Sequence, residues 1–156
     1  MPKYDSQGRI SNLNGRSGEQ MVEDLLKRLQ IPYKKGVHKF PSDLHPKGEK
    51  HDFLLDDCLV LEVKTYGPPE KSLDELEPYE RKNINGTIWQ KISHTVLILQ
   101  SMAAPSFLVL VGPGFETIKD VVTYWKGCVA GSRSTVIEFK ELEVYLENWW
   151  ESKKRR

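Results

Sequence analysis

His51-Asp52-Phe53-Leu54-Leu55-Asp56-Asp57-Cys58-Leu59-Val60-Leu61-Glu62-Val63-Lys64-Thr65 is the stretch that decides how this chain folds. Two short apolar runs, His51 to Leu55 and Leu59 to Thr65, are separated by Asp56 and Asp57, which suit a tight hairpin turn. The stretch therefore reads as two adjacent antiparallel strands. In the second run a period of two puts Leu59, Leu61 and Val63 on one face and Val60, Glu62 and Lys64 on the other. A strand this apolar is expected at the centre of a sheet, covered on both sides. Burying a carboxylate and an ammonium there costs several kcal/mol per ion unless partners or a metal offset it. The turn brings Asp52 roughly opposite residues 61 and 62, so that two carboxylates converge near the Lys64 ammonium. Oxygen donors of this kind suit Mg²⁺, which takes one or two protein carboxylates and leaves its other positions to water and phosphate. The plainer reading is a Glu62–Lys64 ion pair that only fixes strand register.

Working outward, residues 1 to 15 are polar, contain Gly8 and Gly15, and show no sustained period, so a flexible arm is expected. Ser17 can cap a helix whose Met21, Val22, Leu25, Leu26 and Leu29 recur along one stripe, with Pro32 marking its end. Tyr33 to Phe40 reads as a strand, followed by the turn-forming loop PSDLHPKGEK. Beyond the hairpin and an acidic, Pro-containing segment, a helix is expected from about Asn85 to Ala103. It carries Ile88, Trp89, Ile92, Val96 and Leu99, and Pro105 bounds it. FLVLV at 107–111 is a buried strand, GPG a turn, Thr117 to Cys128 a helix, STVIEF a strand, and Glu141 to Glu151 a last helix. The order αβββαβ followed by αβα is that of an α/β protein, with residues 16–156 read as a single domain.

The chain's 156 residues fit one domain. The longest apolar run, around Thr95 to Leu99, is far short of a membrane span, and MPKYDSQGR lacks an apolar signal region, so no membrane association and an intracellular, cytoplasmic location are expected. Cys58 and Cys128 lack zinc-ribbon or disulfide spacing and read as ordinary buried thiols. A net charge of +1 argues against bulk-charge binding of nucleic acid. The distribution is uneven. Lys34, Lys35, His38, Lys39, His45, Lys47, Lys50 and His51 crowd one stretch, Lys153 to Arg156 close the chain, and Glu70, Asp74, Glu75, Glu77 and Glu80 lie between. The separation reads either as a basic face for phosphates or as solvated loops and a frayed tail. The three histidines at 38, 45 and 51 fit no compact zinc motif and read as basic-surface or structural residues. Tyr145, Trp149 and Trp150 read as packing or a dimer contact.

Asp52, the triplet Glu62-Val63-Lys64 and the order of elements around them resemble the PD-(D/E)XK nuclease superfamily. The resemblance spans roughly residues 16 to 111, with His51 standing where the motif has Pro. It implies a restriction-endonuclease-like αβββαβ core with a mixed central sheet flanked by helices, the last αβα being an extension. It further implies that Asp52, Glu62 and the main-chain carbonyl of Val63 bind a divalent metal, Mg²⁺ with Mn²⁺ as substitute, and that Lys64 orients or activates the attacking water. Many members carry a Glu on the first helix, and Glu19 occupies a similar position; capping of the helix beside Ser17 and Gly18 explains Glu19 equally well. Glu23 is a weaker alternative one turn on. Gln90 is similar to a Gln of resolvase-like members, while Lys91 and His94 beside it face solvent or backbone phosphates.

The function these features imply is a divalent-metal-dependent DNA endonuclease, foremost a small dimeric enzyme of type II restriction type. A structure-specific nuclease acting on junctions, nicks, damage or homing targets is the alternative, and a non-catalytic nucleic-acid-binding module the lesser one. Double-stranded or branched DNA is the expected partner. Candidate contacts are Arg16 in the polar arm, with Arg9, Asn12 and Asn14, then Lys34, Lys35, Lys39, Lys47 and Lys50 in the basic stretch, and Gln90 and Lys91.

Overall fold

In a computed structural model, residues 3–39, 49–82, 87–101 and 104–156 are described. The first helix, α1 (Lys3–Arg28), begins well before Ser17. The stretch expected to be a flexible arm is therefore helical from Lys3, and Ser17 and Gly18 lie mid-helix instead of capping it. The apolar stripe was legible only from Met21 because Val22, Leu25 and Leu26 are the residues the helix buries. The end of α1 is set locally. Gln30 takes a left-handed φ of 58°, its N–H donates to the Lys27 carbonyl, and the Ile31 N–H donates back to the Leu26 carbonyl. This is the hydrogen-bond pattern of a Schellman cap, with Ile31 and Leu26 joining the same core behind it.

Strands β1 (Tyr33–Lys39), β2 (Glu49–Leu55) and β3 (Leu59–Thr65) pair antiparallel in sequence. Asp56 and Asp57, at φ 45° and 59°, make the tight turn between β2 and β3, closed by the Cys58 N–H donating to the Leu55 carbonyl at 3.0 Å. Two successive positive φ angles match the right-handed twist of a hairpin, and Asp is one of the few residues that tolerates them. A short helix α2 (Pro78–Lys82) and then α3 (Thr87–Ser101) lead to β4 (Ser106–Val111), which lies parallel to β3. Helix α4 (Lys119–Cys128) leads to β5 (Ser134–Glu138), parallel to β4, and α5 (Phe139–Lys154) closes the chain. The result is one mixed five-stranded sheet in the order β1-β2-β3-β4-β5.

Helices cover both faces. Val22, Leu25 and Leu26 of α1 and Leu142 and Leu146 of α5 pack with Phe53, Leu61, Val63, Val109 and Ile137. Ile92, Val96 and Leu99 of α3 and Val122 and Trp125 of α4 pack with Leu54, Val60, Leu108 and Val136 on the other side. All six residues of β4 are buried, as a central strand covered on both faces requires. Helix α5 is longer than the span 141–151 read from the sequence, starting with a Glu138/Glu141 capping box and carrying Lys153 to within bonding distance of the hairpin turn. Lys153 is thus a structural tether to Asp56, not part of a frayed tail. Trp149 and Trp150 stack on one another and pack against the core, and Tyr145 sits edge-on to Phe107, so these aromatics do packing work. No helix among the described residues is long and apolar enough to cross a membrane.

Candidate active site

The position of the candidate site follows from where the β2–β3 pairing stops. Regular pairing runs from Leu55–Leu59 to Phe53–Leu61 and then ends. At that point Asp52 Oδ2 accepts the Val63 main-chain N–H at 2.7 Å, so the side chain takes over from the strand as acceptor. Next to it, His51 Nδ1 lies 2.7 Å from Glu62 Oε1. Asp52 is thereby anchored to the main chain of β3 and Glu62 to His51 at the mouth of the hairpin, close enough that the charge of Asp52 acts on the Glu62 carboxyl.

A break in β1 accounts for the position of His51. In a strictly alternating β2, His51 would share a face with Phe53 and Leu55, the face covered by α1 and α5. Opposite Asp52 in the register lies Gly36, which is missing from the run of paired residues and has φ +62°. A glycine in this conformation lets the strand change the side on which its next residues point. Tyr33 accordingly packs with the α1/α5 core, whereas Val37, paired across to His51, packs with the α3/α4 core. His51 follows Val37 and meets Glu62. The residue read as a basic-surface or structural histidine is fully buried, at 0% exposure, in contact with the candidate centre. Isolated glycine within the strand pattern YKKGVHK was the signal that could have found it.

Glu62 is 8% exposed. Desolvation is the largest influence on its carboxyl and Asp52's negative charge adds to it, while the His51 hydrogen bond and Lys64 oppose; together they raise it from 4.5 to about 7. A buried carboxyl raised this far beside a second carboxylate is a candidate functional group. Lys64 is half-buried two residues on along the strand.

Glu19 belongs to the same neighbourhood. Burial raises its carboxyl first and the charge of Asp52 second, while Lys35, Lys50 and Lys64 lower it, so all four charged groups lie within electrostatic reach. Gly18 makes this possible. A Cβ added there would stand 2.1 Å from Thr65 Oγ1, so only glycine lets α1 lie this close to the end of β3. Capping is not the role of Glu19, since it sits mid-helix. Glu23 serves elsewhere, accepting from Tyr33 Oη at 2.5 Å and from Lys35 Nζ at 3.2 Å.

Of the candidate DNA contacts, Arg16, Lys34, Lys35 and Lys50 are exposed. Lys34 pairs with Asp57 at 3.0 Å, and Lys35 also lies over the Phe53 ring at 5.8 Å. Lys39 ends β1 opposite Glu49. Lys47 and His45 lie outside the described residues. Gln90 and Lys91 are exposed on α3, and no contact among the described residues joins them to Asp52 or Glu62. The cysteines are free and half-buried, not fully buried, with Cys58 Sγ 2.9 Å from Lys153 Nζ.

Among the described residues no group of three or more His, Cys, Asp or Glu side chains gathers as a metal cluster. The pair Asp52 and Glu62 nevertheless offers hard oxygen donors in the number Mg²⁺ uses, since that ion takes one or two carboxylates and completes its shell with water and phosphate. Each carboxylate has one oxygen engaged, Oδ2 by Val63 N–H and Oε1 by His51, and Oδ1 and Oε2 accept no hydrogen bond from another described residue. Compared with protein-family models, curated proteins and solved structures, the chain gives no match in any of the three.

Proposed function

We propose that this protein is a divalent-metal-dependent nuclease that hydrolyses DNA phosphodiester bonds, with a restriction-endonuclease-like fold and a site built from Asp52, Glu62 and Lys64. The observation that carries the reading is the juxtaposition of Asp52 with a buried Glu62 where the β2–β3 ladder ends. The order of the principal elements from α1 to β4, helix, three antiparallel strands, helix and parallel strand, also agrees with what the resemblance to PD-(D/E)XK nucleases implies.

Asp52, Glu62 and the Val63 carbonyl would hold Mg²⁺ or Mn²⁺. Bound there, such an ion would supply Lewis-acid polarisation of the scissile phosphate and acidify water toward neutral pH. The protein's own contribution is to hold the two carboxylates in place, one by a main-chain N–H and one by an imidazole, and to set the Lys64 ammonium next along the strand. That ammonium orients the attacking water and stabilises negative charge as it develops on the phosphate. Lys35 and Lys50, exposed and within reach of Glu19's charge, supply positive potential on the approach to the site.

A small restriction-type enzyme is the primary reading. A second reading is a nuclease specific for branched or nicked DNA: the charge of Asp52 acts on Glu19 of α1, and the resemblance gives a Glu on the first helix to Holliday-junction resolvases as it does to several restriction enzymes. Cleavage of a supercoiled plasmid and of a four-way junction, with Mg²⁺ and in excess chelator, tests both readings alongside folded Asp52→Ala and Glu62→Ala proteins. Mg²⁺-dependent cutting lost in both variants is expected. Wild-type rates in either variant, or full activity in chelator, would refute the assignment.

A further inference from the structure

We propose that His51 is a positioning residue that makes Glu62 a one-oxygen ligand and so tunes the site toward a small octahedral cation such as Mg²⁺ over Ca²⁺; this rests on the metal-site reading above. Glu62 Oε1 is held 2.7 Å from His51 Nδ1, and the imidazole is completely enclosed. With Glu62 ionised, Nδ1–H donates to Oε1, and Oε2 is the oxygen left for a cation. Mg²⁺ is content with single-oxygen carboxylate ligands at near-ideal octahedral geometry, whereas Ca²⁺ is commonly chelated by both oxygens of a carboxylate in a larger, looser shell. A hydrogen bond that occupies one oxygen therefore weighs against Ca²⁺.

The imidazole has no room to move aside. It sits on β2, paired across to Val37 of β1 and 2.7 Å from Glu62 of β3, with none of its surface exposed. Partners that orient a ligand from behind it typically change metal affinity by about 10–100-fold when removed. The two ring nitrogens give a discriminating substitution. In Asn the amide Nδ2 falls near the position of Nδ1, while in Gln the amide Nε2 falls near that of the far nitrogen.

The experiment is titration of metal-free protein with Mg²⁺, Mn²⁺ and Ca²⁺ separately, read by calorimetry, for wild type, His51→Ala, His51→Asn, His51→Gln and Glu62→Ala, each first shown to be folded by circular dichroism. The expected result is that His51→Gln and His51→Ala lose about 10–100-fold in Mg²⁺ affinity and less or nothing for Ca²⁺, so that their preference moves toward Ca²⁺, while His51→Asn retains most of the wild-type preference. Equal Mg²⁺ to Ca²⁺ ratios in wild type, His51→Asn and His51→Gln would overturn the role of His51; if Glu62→Ala abolishes binding in the same series, the metal site itself stands. No cation binding by wild type, or wild-type binding by Glu62→Ala, would overturn both the metal site and this role for His51. Should His51→Ala not fold, the Asn and Gln variants carry the same comparison.

Discussion

Glu62→Gln tests the electrostatics of the site independently of any substrate. Burial and the neighbouring Asp52 lift the Glu62 carboxyl from 4.5 to about 7. Between those pH values the folded protein holds a proton that the unfolded chain has released, so this group lowers stability as pH rises from about 4.5 to about 7, and the loss persists above. At about 1.4 kcal/mol per pH unit, a lift of this size amounts to roughly 3 kcal/mol at pH 8. Gln has the same shape, still accepts from His51, and carries no charge. In chelator, Glu62→Gln should therefore be more stable than wild type by up to about 3 kcal/mol at pH 8, or about 6–12 °C in Tm for a chain of this size, with the gap closing toward pH 5. Urea denaturation and thermal melts at both pH values measure it directly. Adding Mg²⁺ at pH 8 should stabilise wild type and leave Glu62→Gln unmoved. A variant no more stable than wild type at pH 8, or a gap equal at the two pH values, would refute the claim that Glu62 is a buried carboxylate in need of a cation.

Three further outcomes are expected. Lys35→Glu and Lys50→Glu should weaken DNA binding in a salt-dependent way, each lost phosphate contact lowering the slope of log K against log salt by about 0.9 in fluorescence anisotropy titrations; unchanged slopes would remove both lysines from the interface. Gly18→Ala puts a Cβ against Thr65 Oγ1 and should cost about 1–3 kcal/mol in urea unfolding, with Thr65→Ala in the same chain restoring much of it; additive costs would show that the two residues are not in contact. Gly36→Ala places a side chain at φ +62° and should cost about 1–2 kcal/mol, accompanied by a changed environment of His51 in NMR spectra; a neutral substitution would mean that the reversal in β1 does not depend on glycine.

The hairpin and its tight Asp-Asp turn are readable because each follows from a short-range rule: strict alternation, and a turn residue tolerant of positive φ. The surrounding helices were readable in kind and less so in extent. Helix α1 runs back to Lys3 although residues before Leu13 supply no apolar stripe, since the packing that marks a helix in sequence comes only from Val22, Leu25 and Leu26. Glu19 was named, but the reason it reaches the site is a glycine contact with Thr65, a tertiary fact with no periodic signature. His51 reads from the sequence as a basic-surface or structural residue, and its complete burial against Glu62 depends on a partner eleven residues away on the next strand. Lys153 was set among tail residues because its partner, the hairpin turn, is distant in sequence. Of the basic stretch, Lys47 falls outside the described residues, while Lys34 and Lys35 already have carboxylate partners that charge counting does not reveal.

The mixed sheet also has a consequence for how the protein reaches its native state. β1, β2 and β3 are successive antiparallel neighbours, whereas β4 and β5 join only after the chain has travelled through α3 and α4 to run parallel. Short loops close with less loss of chain entropy than long ones, so local pairings lead and crossovers lag. Asp52 and Glu62 both belong to the leading part. Their mutual repulsion is thus met early in refolding, while β3 still lacks the neighbour that will bury it. On the proposed metal-site reading, a cation present from the start of refolding speeds the reaction, and one added afterwards slows only unfolding.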